Sequence, residues 1–159
     1  AENKFIVSSD YEVKKSNDDI LSILIKYYKY SGGAHGIYEY VPYNIDLTSG
    51  NTFVLNDIFT QNSNYEQVIN DKIKSQIKTL NKEQGLPEDS TQLYAFNKIK
   101  NNQKFYIKDD SIVIFFDLYE IAPYVAGVPE FIIKKELINT LLIPKYKEII
   151  FYSSKATTV

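Results

Sequence analysis

Hydrophobic and polar residues alternate along the first third of the sequence with the two-residue period of a β-strand. In residues 20–30 the odd-numbered positions from 21 to 27 are apolar or aromatic and share one face. Ser22, Leu24 and Lys26 point to the opposite face. Residues 5–14 alternate less regularly, and the small polar residues at 16–19 favour a turn between the two runs. We therefore expect an antiparallel β-hairpin at the start of the chain.

A third strand is predicted over residues 37–47, where Ile37, Val41 and Ile45 share one face. Pro42 lies in the middle of this run and has no backbone N–H to donate. This part of the strand is therefore expected at a sheet edge or at a bulge.

The period changes to three and four residues near residue 65, which predicts an amphipathic α-helix over residues 65–80. Ser63 or Asn64 is expected to cap its start, and Gly85 to end it. The lysines between the apolar positions are expected to face water. The apolar positions that carry the period are Tyr65, Val68, Ile69, Ile73, Ile77 and Leu80.

The second half of the chain predicts a second hairpin and a packed loop. Residues 86–102 are polar and irregular, which favours a mobile or inserted loop. Two apolar runs flank the turn signal at 108–111, and the second run is apolar on both faces, as in a central strand. Residues 117–130 combine two prolines and a glycine with aromatic residues, so we expect an ordered loop packed on the fold.

The C-terminal part predicts short elements only. Residues 131–133 favour a strand and residues 135–142 a short helix, which Pro144 is expected to end. Residues 148–152 favour a strand, and residues 153–159 favour a tail.

These patterns predict an α+β fold in which a mostly antiparallel β-sheet packs against one long amphipathic helix and a short C-terminal helix. Residues 1–144 are expected to form a single domain, followed by a C-terminal strand or tail at 145–159. A chain of 159 residues is long enough to bury a core without a metal or a disulfide.

Composition excludes several kinds of chemistry. The sequence has no cysteine, so it offers neither a disulfide nor a thiolate ligand or nucleophile. It also lacks arginine and carries a net charge of −2, which argues against a nucleic-acid partner. No apolar run reaches the length of about 18 residues that a membrane span requires. Because no export signal precedes the first strand-like run, we expect an ectodomain trimmed of any signal or anchor.

The six residues 31–36 hold three of the six glycines and the single histidine, His35. One interpretation makes His35 a general base or metal ligand. The other makes the segment a structural pivot between strands, because glycine accepts backbone conformations and close contacts that other residues do not. A phosphate-binding loop is disfavoured, since a strand follows where a helix start is required. We predict no catalytic residue, no metal ligand and no cofactor.

Four motifs in order resemble the domain-of-unknown-function family 3298, a family of RsiV-like ectodomains. They are GGAHG at residues 32–36, LNDIF at 55–59, FYIKDDSIVIFF at 105–116 and YEIAPYVAGVPEFIIKKELI at 119–138. The resemblance covers residues 27–142. Residues 1–26 look like the end of the domain that usually precedes this family's domain.

The resemblance implies a non-catalytic binding or sensing domain of the Gram-positive cell envelope, located outside the cell or at its surface. Its ligand would be lysozyme, another envelope protein or peptidoglycan. The alternative is an accessory domain of a cell-wall enzyme such as a polysaccharide deacetylase, with the catalytic domain outside this sequence. Any membrane attachment would lie in a segment outside these 159 residues.

Candidate ligand contacts lie on the glycine-rich pivot, the strand after it and the later loop. Tyrosines on neighbouring strands can form an aromatic platform for sugar rings, or they can simply pair across the strands. The loop can likewise bind a ligand or pack on the sheet. The candidates are His35, Tyr38, Tyr40, Tyr119, Glu120 and Tyr124.

Paired carboxylates in the predicted turns lead to a testable expectation if the ligand is a basic protein such as lysozyme. Pairs at 18–19, 88–89 and 109–110 would steer such a ligand toward the chain. The association rate constant, measured by stopped flow, should then fall as salt rises from about 0.01 M to 1 M, because the Debye length shrinks from roughly 30 Å to 3 Å. An association rate constant that does not change with salt concentration would exclude electrostatic steering.

Overall fold

The computed structural model describes residues 5–152 of the protein, and its first half is an antiparallel sheet. Strands β1 (Ile6–Ser16), β2 (Ile20–Tyr30), β3 (Ile37–Asp46) and β4 (Asn51–Thr52) lie side by side in that order. The predicted N-terminal hairpin is confirmed, with a register shift between Val13 and Lys15. The predicted tail at 153–159 lies outside the described residues.

Short polar side chains close the turns of this first sheet. The Asn17 side-chain oxygen accepts hydrogen bonds from the backbone N–H groups of Asp19 and Ile20, at 3.0 and 2.8 Å. Such a bond from a residue to the backbone two positions on defines an Asx turn.

Pro42 pairs with Leu24 of β2, while β4 reaches only Ile45 and Asp46 on the other side of β3. The edge position expected for Pro42 is therefore confirmed.

A second antiparallel sheet contains β5 (Phe105–Lys108), β6 (Ser111–Phe115) and β7 (Glu130–Lys134) in that order. Asp109 takes a positive φ of 50° in the two-residue turn between β5 and β6, a conformation that aspartate tolerates better than most residues. The apolar strand β6 is central, as its sequence predicts.

The long helix α1 (Tyr65–Glu83) packs its isoleucine face into the core, as the period predicts. Ile69 and Ile73 are fully buried, and each such side chain contributes roughly 1.5–3 kcal/mol. Gly85, at φ +70°, ends the helix. The expected side-chain cap is wrong: Asn64 occupies the capping position without a side-chain hydrogen bond, because its backbone is not extended there.

Residues 86–102 contain no helix or strand, in line with their polar composition, yet α1 holds them at both ends. The Asn70 side-chain oxygen accepts the Ile99 N–H at 2.8 Å. The Asn81 amide donates to the carbonyl oxygens of Glu88 and Ser90, at 3.1 and 2.8 Å. Two buried asparagines of the helix thus fix the course of this segment.

One large apolar cluster unites α1, the second sheet and the segments that connect them. Within the described part of the chain, none of the helices combines the length and hydropathy needed to cross a bilayer. The fully buried members of the cluster are Ile20, Leu55, Ile58, Ile69, Ile73, Ile107, Ile112, Ile114, Ile133, Ile138 and Ile150.

Two buried polar side chains join the sheets. Ser22 of β2 donates to the Asn44 side-chain oxygen at 2.7 Å and accepts the Ile107 N–H at 3.0 Å. The Asn44 amide donates to the Phe105 carbonyl oxygen at 3.0 Å. The backbone edge of β5 that faces away from β6 is therefore satisfied by side chains of the first sheet.

The C-terminal elements differ from the sequence predictions. The short helix α2 (Lys135–Ile138) ends four residues earlier than expected. Pro144 starts a further helix, α3 (Pro144–Lys147), because proline fits the first helical position, where an N–H is not needed. Glu148–Tyr152 forms a wide helical turn, so the strand prediction there is wrong. Ile149 and Ile150 are consecutive in the chain and both are buried in the core. A strand with one solvated face would bury only one of them.

The α+β fold class is confirmed, with antiparallel strands divided between two sheets, one long amphipathic helix and short C-terminal helices. The boundary between a domain at 1–144 and a tail at 145–159 stays a prediction.

Asp46 and Lys145 form an ion pair between β3 and α3 that should be visible in the pH dependence of stability. The Asp46 side chain is only 3% exposed. Its hydrogen bond with Lys145, helped by hydrogen bonds from Ser49 and Thr48, lowers the pKa of Asp46 to about 2. A lowered pKa stabilises the fold fully above pH ~4, and this stabilisation is lost as the pH falls toward 2. We expect Asp46→Asn to lower the free energy of unfolding by about 1–3 kcal/mol at pH 7.

Urea unfolding at a series of pH values checks this. The stability difference between wild type and Asp46→Asn should shrink between pH 4 and pH 2. Asp18→Asn, in an exposed turn, is the matched control and should track the wild type throughout. A constant difference down to pH 2 would contradict the assignment.

Candidate functional site

An open groove of about 560 Å³ lies between the first sheet and the loop of residues 117–130, called here the groove loop. Side chains at even-numbered positions of β2 and β3 form one wall. The groove loop forms the other. The side chains that line it on these two walls are Leu24, Lys26, Tyr38, Tyr40, Leu118, Tyr124 and Val128.

Strand register explains why the sheet wall is aromatic and basic. Tyr28 of β2 is paired with Tyr38 of β3, and Lys26 with Tyr40, on the same face of the sheet. The Tyr28 and Tyr38 ring centroids are 4.9 Å apart. The Lys26 ammonium lies 4.1 Å from the Tyr38 ring centroid, a cation–π contact. The cross-strand pairing expected for these tyrosines is therefore present, and it leaves Tyr38 and Tyr40 half-buried at the groove.

The glycine-rich pivot at residues 31–36 has structural reasons for its glycines. Gly32 and Gly33 have φ of +101° and +98°, conformations that side chains with a Cβ rarely adopt. Gly36 is required for a different reason: a Cβ there would overlap the Tyr28 ring. The Tyr30 hydroxyl donates to the Gly33 carbonyl oxygen at 2.9 Å and secures the turn.

His35 and Tyr124 bring the pivot and the groove loop together across 89 positions of sequence. Their rings stack with centroids 4.1 Å apart and planes 20° apart. The Tyr124 hydroxyl lies 3.5 Å from the Gly36 carbonyl oxygen, its hydrogen-bond acceptor. Among residues 5–152 no three His, Asp or Glu side chains converge as a metal site would require. The stacked rings form an aromatic contact between the pivot and the groove loop.

Tyr119 extends this aromatic surface and has a strained backbone. Its ring centroid is 5.7 Å from that of Tyr124, and the side chain is 58% exposed. Its φ is +67°, which costs of order 1–3 kcal/mol for a bulky residue. Such an outlier persists only where its surroundings enforce it, and it often marks a binding site.

Glu120 is not part of the groove lining and lies with Tyr119 at a separate surface pocket. Its carboxylate accepts the Asp117 N–H at 2.8 Å and pairs with Lys100 at 2.6 Å, which raises the pKa of Lys100. Lys104 in turn donates to Asp117, at 2.8 and 2.9 Å, and to the Tyr40 carbonyl oxygen at 2.8 Å. Glu120 therefore fixes the start of the groove loop and does not line the groove.

The DUF3298 family, described as a protein family of unknown function, matches residues 56–136. The chain belongs to the DUF3298 family. Residues 1–38, which include β1 and β2, match a second family described as deacetylase PdaC. A crystal structure of a DUF3298 family member from Bacteroides fragilis superimposes with a TM-score of 0.72 at 28% identity, over 91% of this chain and 58% of that one.

A DUF3298 family protein from Pseudomonas aeruginosa has the same fold, with a TM-score of 0.73 over 93% of this chain and 65% of that one, at 19% identity. Two curated relatives come from Bacillus subtilis. Anti-sigma-V factor RsiV is 32% identical, and the peptidoglycan-N-acetylmuramic acid deacetylase PdaC is 28% identical, each over 86% of this chain. The match spans 48% of RsiV and 29% of PdaC, so this chain spans less than half of either relative.

Sequence reasoning missed the charged residues that this DUF3298 domain places in the groove. Lys14 and Glu130 line it, and the Lys14 ammonium lies 4.8 Å from the Tyr106 ring centroid. The Tyr106 hydroxyl donates to Glu130 at 3.2 Å, and burial followed by the Glu130 charge raises the pKa of Tyr106. Lys26 was detectable in principle, since it shares the parity of Tyr28. Lys14 has the same parity as Glu12, whose partner is Leu24, so alternation along β1 also predicts its side of the sheet.

The contact between Gly36 and Tyr28 predicts that Gly36→Ala disturbs the groove. The added methyl group must displace the Tyr28 ring, and with it the Tyr28–Tyr38 pair. Overpacking of this kind typically costs about 1–3 kcal/mol. Urea unfolding and near-ultraviolet circular dichroism, which reports tyrosine packing in a chain without tryptophan, measure both effects. Ala34→Ser, at an exposed position of the same pivot, should change neither the stability nor the spectrum. A Gly36→Ala variant with the stability and spectrum of the wild type would contradict the prediction.

Proposed function

We propose that this chain is a non-catalytic, extracytoplasmic binding domain of a Gram-positive cell-envelope protein, and that the groove holds its ligand. The observation that carries the proposal is the convergence of Tyr38, Tyr40 and Tyr124 on one open groove from two distant parts of the sequence, with His35 stacked on Tyr124 beside it. Two neighbouring groups support it: Lys26 on the sheet wall, and Tyr119 with its strained backbone.

The chemistry of the groove suits a peptidoglycan fragment. Half-buried tyrosine rings offer apolar faces to sugar rings and polar tips to their hydroxyl groups. Lys26 offers an ammonium group to the carboxylates of the glycan and its peptides, and the Lys14 ammonium, paired with Glu12, lies beside it in the groove. The relative PdaC, by its name, acts on peptidoglycan N-acetylmuramic acid, which fits an envelope glycan as ligand.

A protein ligand, lysozyme or another envelope protein, is the second candidate. The exposed ring of Tyr119 and the carboxylate of Glu130 at the groove favour it, because tyrosines are common in protein interfaces and a basic partner would complement the acid. The relative RsiV is, by its name, an anti-sigma-V factor, which fits a domain that binds a protein.

The domain organisation leaves a further alternative for the whole protein. Because residues 1–38 match the deacetylase PdaC family, this chain would serve as an accessory domain of a cell-wall enzyme. The catalytic domain would then lie outside this sequence. In that arrangement the groove delivers the glycan strand to the enzyme and catalyses no step itself.

Isothermal titration calorimetry against soluble muropeptides and against hen lysozyme tests the proposal. Tyr38→Ala and Tyr124→Ala are each expected to weaken binding about fivefold or more, because loss of one stacked ring costs roughly 1–3 kcal/mol. Tyr43→Ala is the matched control: Tyr43 lies on β3 with a partly exposed ring, but it points to the opposite face of the sheet.

The outcomes separate the candidates. Heat with muropeptides alone supports the glycan ligand, and heat with lysozyme alone supports the protein ligand. His35→Ala, which removes the ring stacked on Tyr124, should weaken binding less than Tyr124→Ala does. The groove would be excluded as the binding site if neither ligand produced heat. It would also be excluded if Tyr38→Ala and Tyr43→Ala lowered the binding affinity equally.

A further inference from the structure

The charged side chains that line the groove differ in whether they have an ionic partner. The Lys14 ammonium pairs with the Glu12 carboxylate within β1. Lys26 and Glu130 line the groove as well, and across residues 5–152 neither of them forms an ion pair. The groove therefore offers a ligand one cation and one anion that are not already neutralised.

Lys26 is held on the sheet wall by two tyrosine rings. Its ammonium lies 4.1 Å from the Tyr38 ring centroid and 6.0 Å from that of Tyr40. The residue paired with Lys26 on β1 is Asp10, but the Asp10 carboxylate accepts the Tyr11 backbone N–H at 2.8 Å. Because Lys26 is half-buried, its ammonium has lost part of its hydration and gains from an anionic ligand group.

Glu130 is held on the other wall, where the groove loop ends and β7 begins. The Tyr106 hydroxyl donates to its carboxylate at 3.2 Å, and Tyr106 is itself buried, so the donor has a fixed position. An ionised carboxylate accepts several hydrogen bonds, and the exposed Glu130 side chain keeps acceptor positions for a ligand. Charged groups that are fixed before binding lose less conformational entropy when a ligand arrives.

We propose that the groove binds a peptide with a free carboxylate and a free ammonium group, the carboxylate at Lys26 and the ammonium at Glu130. Leu24 and Val128 give the aliphatic part of such a peptide an apolar contact. A neutral glycan would leave both charged groups without a partner, and a purely basic ligand would leave Lys26 without one. The inference rests on the proposed function and narrows its ligand to the stem peptide of a muropeptide, since N-acetylated sugar rings carry no ammonium group.

Isothermal titration calorimetry with N-acetylmuramyl-L-alanyl-D-isoglutaminyl-L-lysine tests this, because that muropeptide has one ammonium group and one carboxylate. Two derivatives each lack one charge: the first is acetylated at the lysine ammonium, and the second is amidated at the terminal carboxylate. We expect each derivative to bind the wild type about fivefold or more weakly than the parent, because one charge-assisted hydrogen bond is lost.

Neutral variants assign each ligand group to its partner. In Glu130→Gln the acetylation should cause no further loss of affinity, and in Lys26→Gln the amidation should cause none, because the contact in question is already absent. Lys78→Gln and Glu88→Gln remove exposed charges that do not line the groove, and they should bind all three ligands as the wild type does. A near-ultraviolet circular dichroism spectrum like that of the wild type checks that each variant is folded.

The outcomes separate this inference from the proposed function. Equal binding of the parent and both derivatives overturns the inference and leaves the groove as a site for sugar rings. A loss on acetylation that persists in Glu130→Gln, or a loss on amidation that persists in Lys26→Gln, also overturns it. If the parent muropeptide does not bind at all, the inference fails, and the proposed function then stands only if lysozyme produces heat.

Discussion

The buried hydrogen bonds of Ser22 and Asn44 are the constraint on which the two-sheet architecture depends. The outer edge of β5 is buried against the first sheet, so its N–H and C=O groups need partners that water cannot supply. Ser22 and Asn44 provide them to Ile107 and Phe105. An apolar pair would fill the space but would leave two backbone groups unsatisfied, at a cost of roughly 1–3 kcal/mol each. The polar pair therefore sets how the sheets meet, which hydrophobic contact alone does not.

The groove follows from that junction. The face of β2 and β3 that is sealed at Ser22 and Asn44 opens four residues further along, at Lys26 and Tyr40. Lys104, directly before β5, ties the Tyr40 carbonyl oxygen to Asp117 at the start of the groove loop. The sheet wall of the groove and the structural junction thus occupy one continuous face. Strands β2 and β3 and the Lys104 side chain connect the junction to the groove.

Local patterns in the sequence predict most of the elements but not their arrangement. The alternation in residues 20–30, the isoleucine period of α1 and the stop at Gly85 depend on neighbouring positions, so each is readable from the chain alone. The two partners of the Ser22–Asn44 junction are separated by 22 positions in the chain, and those of the Asp46–Lys145 pair by 99. Contacts at such separations produce no periodic pattern in the sequence. Pro144 was misjudged because proline ends one helix and begins another equally well.

The candidate site shows the same division. His35 and Tyr124 stand out as members of two unusual segments, and stacking joins them in the fold. Glu120 shares its segment with Tyr119 and Tyr124, but its carboxylate turns back to the Asp117 N–H and to Lys100. Only the backbone geometry of the loop, with the left-handed conformation of Tyr119, decides which of these neighbours faces the groove. The residue types alone do not indicate which of these side chains faces the groove.

The two faces of the first sheet differ in the kind of side chain they leave exposed, and this difference separates their roles. The groove face presents tyrosine hydroxyls and lysine ammonium groups, which water solvates well until a ligand displaces it. The opposite face, formed by odd-numbered positions of β2 and β3, carries partly buried isoleucine, valine and leucine at its centre. Because Leu24 and Ile25 are neighbours on one strand, the wall of the groove and this apolar face are two sides of the same backbone. The reversible site proposed for the groove suits the first chemistry, since aliphatic side chains offer a ligand no polar group to bind.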